Sequence, residues 1–277
     1  MLKRLALSFV VLLLAACSHR QGLTGEYVPY VASFLSDSTS VQYRILSKYD
    51  DDGTSGNIYI LGAPDDVLPA SEYFLQSDGR NNIDGRKLPD GLPDFSGETF
   101  SPVLDAANAP YSPYLSLGRE DFLREVTARG VVSASDTSCR ATSFDNVTMM
   151  HKSGAKAVLL ASPYMSAYGA SDADTILEVA SSRLPVFSRT HAMVRAACSQ
   201  PRPVCIAVWT TEELASGGIY ASVLPKVFAE SGIPSSSYHV FYIQSDGEDF
   251  MSNPSRRGLF EVLDLFAENS SGQRLDA

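Results

Sequence analysis

Four short polar clusters hold residue types that can grip a small ligand or move a proton. They are Gln76-Ser77-Asp78-Gly79, the segment from Asp105 to Ser112, Ser162-Pro163-Tyr164, and Thr210-Thr211-Glu212-Glu213. Each follows a short apolar run, so each reads as the loop leaving a strand. Hydroxyls and backbone N–H groups at such places suit an anion, above all where a helix begins. The candidate ligand-binding residues are Ser77, Asp78, Asp105, Pro110, Tyr111, Ser162, Tyr164, Thr210 and Thr211. Asp78 and His191 are the candidate acid–base groups, because a carboxylate or an imidazole can exchange a proton near neutral pH. Each has a plainer alternative. Asp78 and Asp105 also suit turns, Pro110-Tyr111 a loop, Ser162 the start of a strand-to-helix loop, and Thr211 and His191 helix starts.

The elements that must position these residues follow from hydrophobic periodicity. Strands are expected at Asn57–Leu61, Phe100–Leu104, Lys156–Ala161, Leu184–Ser188, Val204–Trp209 and Tyr238–Ile243. Helices are expected at Arg119–Arg129, stopped by Gly130, and at Asp172–Ser182 with Asp172 as cap. Further helices are expected at His191–Cys198, at Gly218–Ser231 and at Arg256–Glu268. Pro225 should kink the fourth of these or delay its start. Residues 50–98 are rich in Asp, Gly, Asn and Pro and read as long loops around short strands. Apolar strands alternating with amphipathic helices indicate an α/β fold, a parallel sheet with helices on both faces. In such sheets ligands bind beyond the carboxyl ends of the strands.

The amino terminus carries a separate message. MLKR is followed by an apolar run from Leu5 to Ala16, broken only by Ser8. This is shorter than the roughly 20 residues a membrane-spanning helix needs, and it has the flanks of a signal peptide. Leu14-Ala15-Ala16-Cys17 resembles the bacterial lipobox, which implies cleavage before Cys17 and lipidation of its thiol. An ordinary secretory signal that holds a cysteine is the alternative. Ser18 in the next position implies an outer-membrane destination within the envelope. The expected organisation is a signal peptide (1–16), a lipidated tether (17–40), a loop-rich N-terminal α/β half (41–130) and a C-terminal α/β half (131–277). By the strand–helix rhythm a strand should begin near Leu275, so the chain is expected to continue past Ala277.

The formal charge of −10 includes Lys3 and Arg4, both in the signal, so the mature chain is more acidic still. Without basic clusters it is a poor nucleic-acid binder. Four scattered histidines and the absence of a CxxC leave no zinc pattern, and DGRNNIDG lacks the glutamate of a complete calcium loop. The expectation is no metal and no cofactor. Cys198 and Cys205 flank a turn-rich hexapeptide; they suit either a disulfide in an oxidising envelope or two separate thiols.

Over residues 72–230 the sequence resembles the aspartate/glutamate racemases. LDAANAPYS matches the Asp and Pro-Tyr of a family pattern like GDTARVPYG, and KAVLLASPYMSA runs parallel to KxxVIACNTAxA. Leu184-Pro185-Val186-Phe187, followed by Arg195-Ala196-Ala197, follows IPVIGV and a helix with RAA. IAVWTTEELASGGIYASVL aligns with IGVIAT and SGAYxxxL, Thr211, Gly218, Tyr220 and Leu224 being in register. An insertion falls near 130–150. The resemblance implies a racemase-like α/β domain with a pocket for a small carboxylate or amino acid. The family uses two thiols, and its first belongs at Ser162. Its second lies in a Cys-Thr-His motif beyond Ala277, and its opening Asp-Ser-Gly is permuted as Ser77-Asp78-Gly79. Racemisation through paired thiols is therefore not expected.

Three functions compete. The first is a lipid-anchored envelope protein whose domain binds a small carboxylate or amino acid. The second is a lipoprotein solute-binding component of a transporter. The third is an envelope scaffold, suggested by NPSRRGLFEV and disfavoured by the helical period of that stretch.

Overall fold

The computed structural model describes residues 27–49, 55–143, 146–198 and 205–244. Cys17, the signal segment and the expected helix Arg256–Glu268 lie outside these residues. The order is α1 (Pro29–Ser36), α2 (Val41–Ser47), β1 (Asn57–Gly62), α3 (Pro64–Gln76), β2 (Phe100–Leu104), α4 (Ser112–Ser116), α5 (Glu120–Ser135), β3 (Ser138–Ser143), β4 (Asn146–His151) and β5 (Ala155–Leu160). A π-helical turn, Met165–Gly169, leads into α6 (Ala170–Val179). Then come β6 (Val186–Ser188), α7 (Arg189–Cys198), β7 (Cys205–Thr210), α8 (Glu212–Ser216), α9 (Ile219–Glu230) and β8 (His239–Gln244).

The central sheet has the order β2-β1-β5-β6, and every pairing in it is parallel. Successive side chains of a strand point to opposite faces, and the burial shows both faces covered. Tyr59, Leu61, Val158 and Leu160 join the main core beneath α1, α2, α5 and α6. Ile60 and Leu159 face the other way and pack with Val67, Ala70 and Phe74 of α3. The chain is thus an α/β protein with a parallel central sheet flanked by helices. No described helix is long and apolar enough to cross a membrane.

A separate two-stranded parallel sheet, β7-β8, packs with α7 and α9 around a second core of Val194, Ile206, Val208, Leu224 and Phe228. Pro225 sits inside α9 without breaking it. The antiparallel ribbon β3-β4 stands apart from both sheets.

Several expectations are corrected. Residues 17–40 are not all tether: Val28, Val31 and Phe34 of the α1 segment are buried in the main core. Nor does the chain divide into halves at 130, because that position lies within α5, and β1, β2, β5 and β6 share one sheet. Gly130 does not stop the helix. A Cβ there would lie 3.1 Å from Leu61 Cδ2, so the glycine lets α5 close on β1. Asp172 is no cap; it is buried inside α6 and holds Arg124 through two bonds of 2.7 and 2.9 Å. The stretch 64–76, expected as loop, is α3. Pro64 in the first turn suits a helix start, and Asp65 and Asp66 complement its dipole, while Pro69 removes an interior donor and obscures the pattern.

Candidate functional site at the carboxyl edge of the sheet

Parallel pairing places the carboxyl ends of β2, β1, β5 and β6 side by side. Each end delivers one polar residue. β2 is followed by Asp105, and β1, ending in Gly62, by Ala63 and then Asp66 in the first turn of α3. β5 is followed by Ala161-Ser162, and β6 by Arg189. Gly62 allows this crowding, since a Cβ there would lie 3.0 Å from the Ser162 amide nitrogen and 3.2 Å from Ser162 Cβ.

Arg189 is the hub. Its Nη1 donates to Asp66 Oδ1 at 3.1 Å and to the Ala161 carbonyl at 3.1 Å. Its backbone N–H donates to Ser166 Oγ at 3.0 Å, and Ser166 in turn donates to the Leu160 carbonyl at 2.8 Å. The start of α7 is therefore pinned to the end of β5. The Arg189 side chain remains 43% exposed, and its Nε and Nη2 make no hydrogen bond with a described residue. A guanidinium held by one nitrogen with its other edge open matches a carboxylate in the two-pronged manner.

Asp66 lies mostly buried, and burial raises its carboxyl above the ordinary carboxylate value; the Arg189 charge and the Ser162 hydroxyl act in the opposite direction. Ser162 itself is fully buried and closes no hydrogen bond of good geometry, so its influence on Asp66 is that of a long, weak donor. Thr190 Oγ1 and Thr211 Oγ1 are likewise buried without a partner. A buried hydroxyl without a partner costs free energy, and such groups concentrate where a ligand is to be met.

Asp105 is engaged internally. Its Oδ1 accepts from Asn108 Nδ2 at 2.7 Å, and its Oδ2 accepts from the Tyr111 hydroxyl at 3.0 Å. Burial and then the Asp105 charge push the Tyr111 phenol up, so it stays a donor. Pro110 follows a cis peptide bond and leads into the buried Tyr111, whose ring meets that of Tyr164 edge-on at 6.2 Å. Thr210, at the end of β7, lies beside the buried Tyr220, whose phenol is raised by burial against the opposing Arg189 charge and Thr210 hydroxyl. The structure thus brings Asp105, Pro110, Tyr111, Ser162 and Tyr164 to one edge, with Thr210 and Thr211 at the end of the neighbouring sheet.

Ser77 and Asp78 are not at that edge. Phe74-Leu75 belong to α3, not to a strand, and 13 residues of helix carry the chain about 20 Å back towards the amino ends. There the Ser77 hydroxyl donates to Asp94 at 2.7 Å, while Asp78 accepts from the backbone of Asp90 at 3.0 Å and Gly91 at 2.9 Å. Asp78 organises a loop, and the acid beside Ser162 is Asp66. His191 also faces elsewhere. Its Nδ1 lies 2.9 Å from Ser188 Oγ, and its imidazole is lowered by burial and then by Lys226, against the pull of Asp174. Cys198, at the end of α7, is a free thiol; residues 199–204, which lead to Cys205, lie outside the described residues.

Sequence reasoning missed Asp66 and Arg189. The available signal was their position, with Asp65-Asp66 just beyond the apolar IYILG and Arg189 directly after VFS. Among the described residues no group of three His, Cys, Asp or Glu side chains is placed to hold a metal ion. Fold and site together define an α/β protein of open parallel sheet with a polar cluster at the carboxyl edge. Compared with known families and with curated proteins, the sequence matches no family model and no curated protein.

Proposed function

We propose that this chain is a lipid-anchored cell-envelope protein whose α/β domain binds a small carboxylate or amino acid at the carboxyl edge of its sheet. The observation that carries the reading is the open edge of Arg189, fixed by Asp66 and Ala161 beside the unpartnered hydroxyl of Ser162. The ligand's carboxylate docks on the free N–H groups of Arg189, and the buried hydroxyls gain the partner they lack. Ser162 stands where the resembling racemases have a thiol. An alcohol is far less acidic, so the reading is of binding without thiol chemistry. The anchor rests on Leu14-Ala15-Ala16-Cys17; lipidation of Cys17 and the Ser18 that follows support an envelope location with the outer membrane as destination.

Two measurements test this. Thermal-shift screening of the mature protein against D- and L-glutamate, aspartate and simple carboxylates should give a shift that Arg189→Ala removes. The absence of a shift with every compound overturns the binding reading. Metabolic labelling with a fatty-acid probe should mark the wild type and not Cys17→Ser; equal labelling of both overturns the anchor.

A further inference from the structure

The charges around Arg189 narrow the ligand further, an inference that rests on the binding reading above. Asp66 is only half satisfied: Oδ1 faces Arg189, while Oδ2 closes no hydrogen bond with a described residue. Asp65 precedes it, and Asp105 lies at the end of the adjoining strand. A cleft of about 410 Å³ is lined by Glu120, Tyr168, Glu212 and Ser116, Glu212 following Thr211 in the chain, and neither glutamate has a salt bridge among the described residues. The other arginines near the start of α5 are engaged, Arg119 with Asp121 and Arg124 with Asp172. Arg189 thus keeps an open edge beside Asp66, whose carboxyl feels the Asp65 charge, while Tyr111 feels both Asp105 and Asp66.

We infer that the site takes a zwitterion with a single carboxylate: the carboxylate on the open edge of Arg189, the ammonium on the free oxygen of Asp66. A second carboxylate on the ligand would add to the negative charge of Asp66, which already feels Asp65, and of Asp105, which acts with Asp66 on Tyr111; like charges brought together repel. A ligand with no ammonium would leave Asp66 half-paired in a buried position. The selection therefore runs against the dicarboxylic amino acids that the racemase resemblance implies.

Calorimetric titration of the mature wild-type protein settles it with four sets of probes: neutral amino acids (glycine, alanine, serine), their des-amino acids (acetate, propionate), acidic amino acids (aspartate, glutamate), and diacids (succinate, glutarate). The best neutral amino acid should bind at least about ten-fold more tightly than its des-amino analogue and than any dicarboxylate, the size of step that about 1.4 kcal/mol gives. Succinate, glutarate, aspartate or glutamate binding as tightly as the neutral amino acids overturns the inference and leaves the carboxylate reading intact. Binding of no carboxylate at all sinks the reading beneath it. In Asp66→Asn, the preference for the neutral amino acid over propionate should collapse. Persistence of the preference in a folded variant also overturns the assignment of the ammonium.

Discussion

The two ends of the central sheet differ in how their polar groups are satisfied. The amino end opens on a cleft of about 630 Å³, lined by Arg44, Lys48, Tyr49, Gly56, Asp136 and Gly154. Yet its polar groups are cross-linked. The Tyr59 hydroxyl donates to the Ser153 carbonyl at 2.5 Å, and Lys152 Nζ donates to Tyr59 at 3.1 Å and to the Ala134 carbonyl at 3.2 Å. Tyr49 donates to the Lys156 carbonyl at 3.2 Å, and Asp136 accepts from the Ser138 amide and hydroxyl. The carboxyl end instead keeps the Ser162 and Thr190 hydroxyls without partners beside a half-used guanidinium. A polar group matched within the fold contributes to stability, whereas one left unmatched costs stability and is free to meet a ligand. Unmet hydrogen bonding, not the size of the hollow, is therefore what marks the candidate site.

The largest effect should come from a charge pair at the carboxyl end that is fully engaged. Arg124→Ala leaves Asp172, 2% exposed, as an unpaired buried charge. Denaturant unfolding should show a loss of about 3–5 kcal/mol. A loss below about 1 kcal/mol would mean that engaged and open charges at this end do not differ as argued.

The comparison between the ends is tested most directly by two deletions of a single hydroxyl. Tyr59→Phe, at the amino end, should cost about 1 kcal/mol, because it removes bonds to Ser153 and Lys152. Ser162→Ala, at the carboxyl end, should leave stability unchanged or raise it by about 1 kcal/mol while weakening carboxylate binding. Equal destabilisation by both would erase the distinction.

The smallest effect concerns pH. The folded imidazole of His191 titrates below its ordinary 6.5, so the unfolded chain binds its proton first as pH falls. Its contribution is present above about pH 6.5 and is lost as pH drops through the lowered folded value. His191→Gln should flatten the stability profile slightly across that interval, read from denaturant midpoints, and leave ligand selectivity unmoved. A change in selectivity would return His191 to the site.

Much of the scaffold was legible because apolar periodicity is local. The runs at Asn57–Leu61, Phe100–Leu104, Lys156–Ala161 and Tyr238–Ile243 read as strands, and the structure has β1, β2, β5 and β8 at those places. The failures have physical causes. Pro69 and two aspartates masked α3. Gly130 imitated a helix stop although its lack of a side chain serves the contact with Leu61. Ser77 and Asp78 resemble the end of a strand only when the helical character of 64–76 is hidden. At the site, Asp105, Tyr111 and Ser162 were visible as polar residues after apolar runs. Asp66 and Arg189 were not, because their pairing joins positions 123 residues apart.

By itself the sequence determined the alternation of buried strands and amphipathic helices, and with it an α/β protein, since burial faces are written in short-range periods. It also carries the lipobox-like Leu14-Ala15-Ala16-Cys17, a motif read in extended chain before any fold exists. Only the tertiary structure decided which strand ends are neighbours. The order β2-β1-β5-β6 sets Asp66 and Ser162 beside Arg189 and sends Asp78 to the opposite end. Strand order and register come from the packing of distant segments against one another, and no local period encodes them.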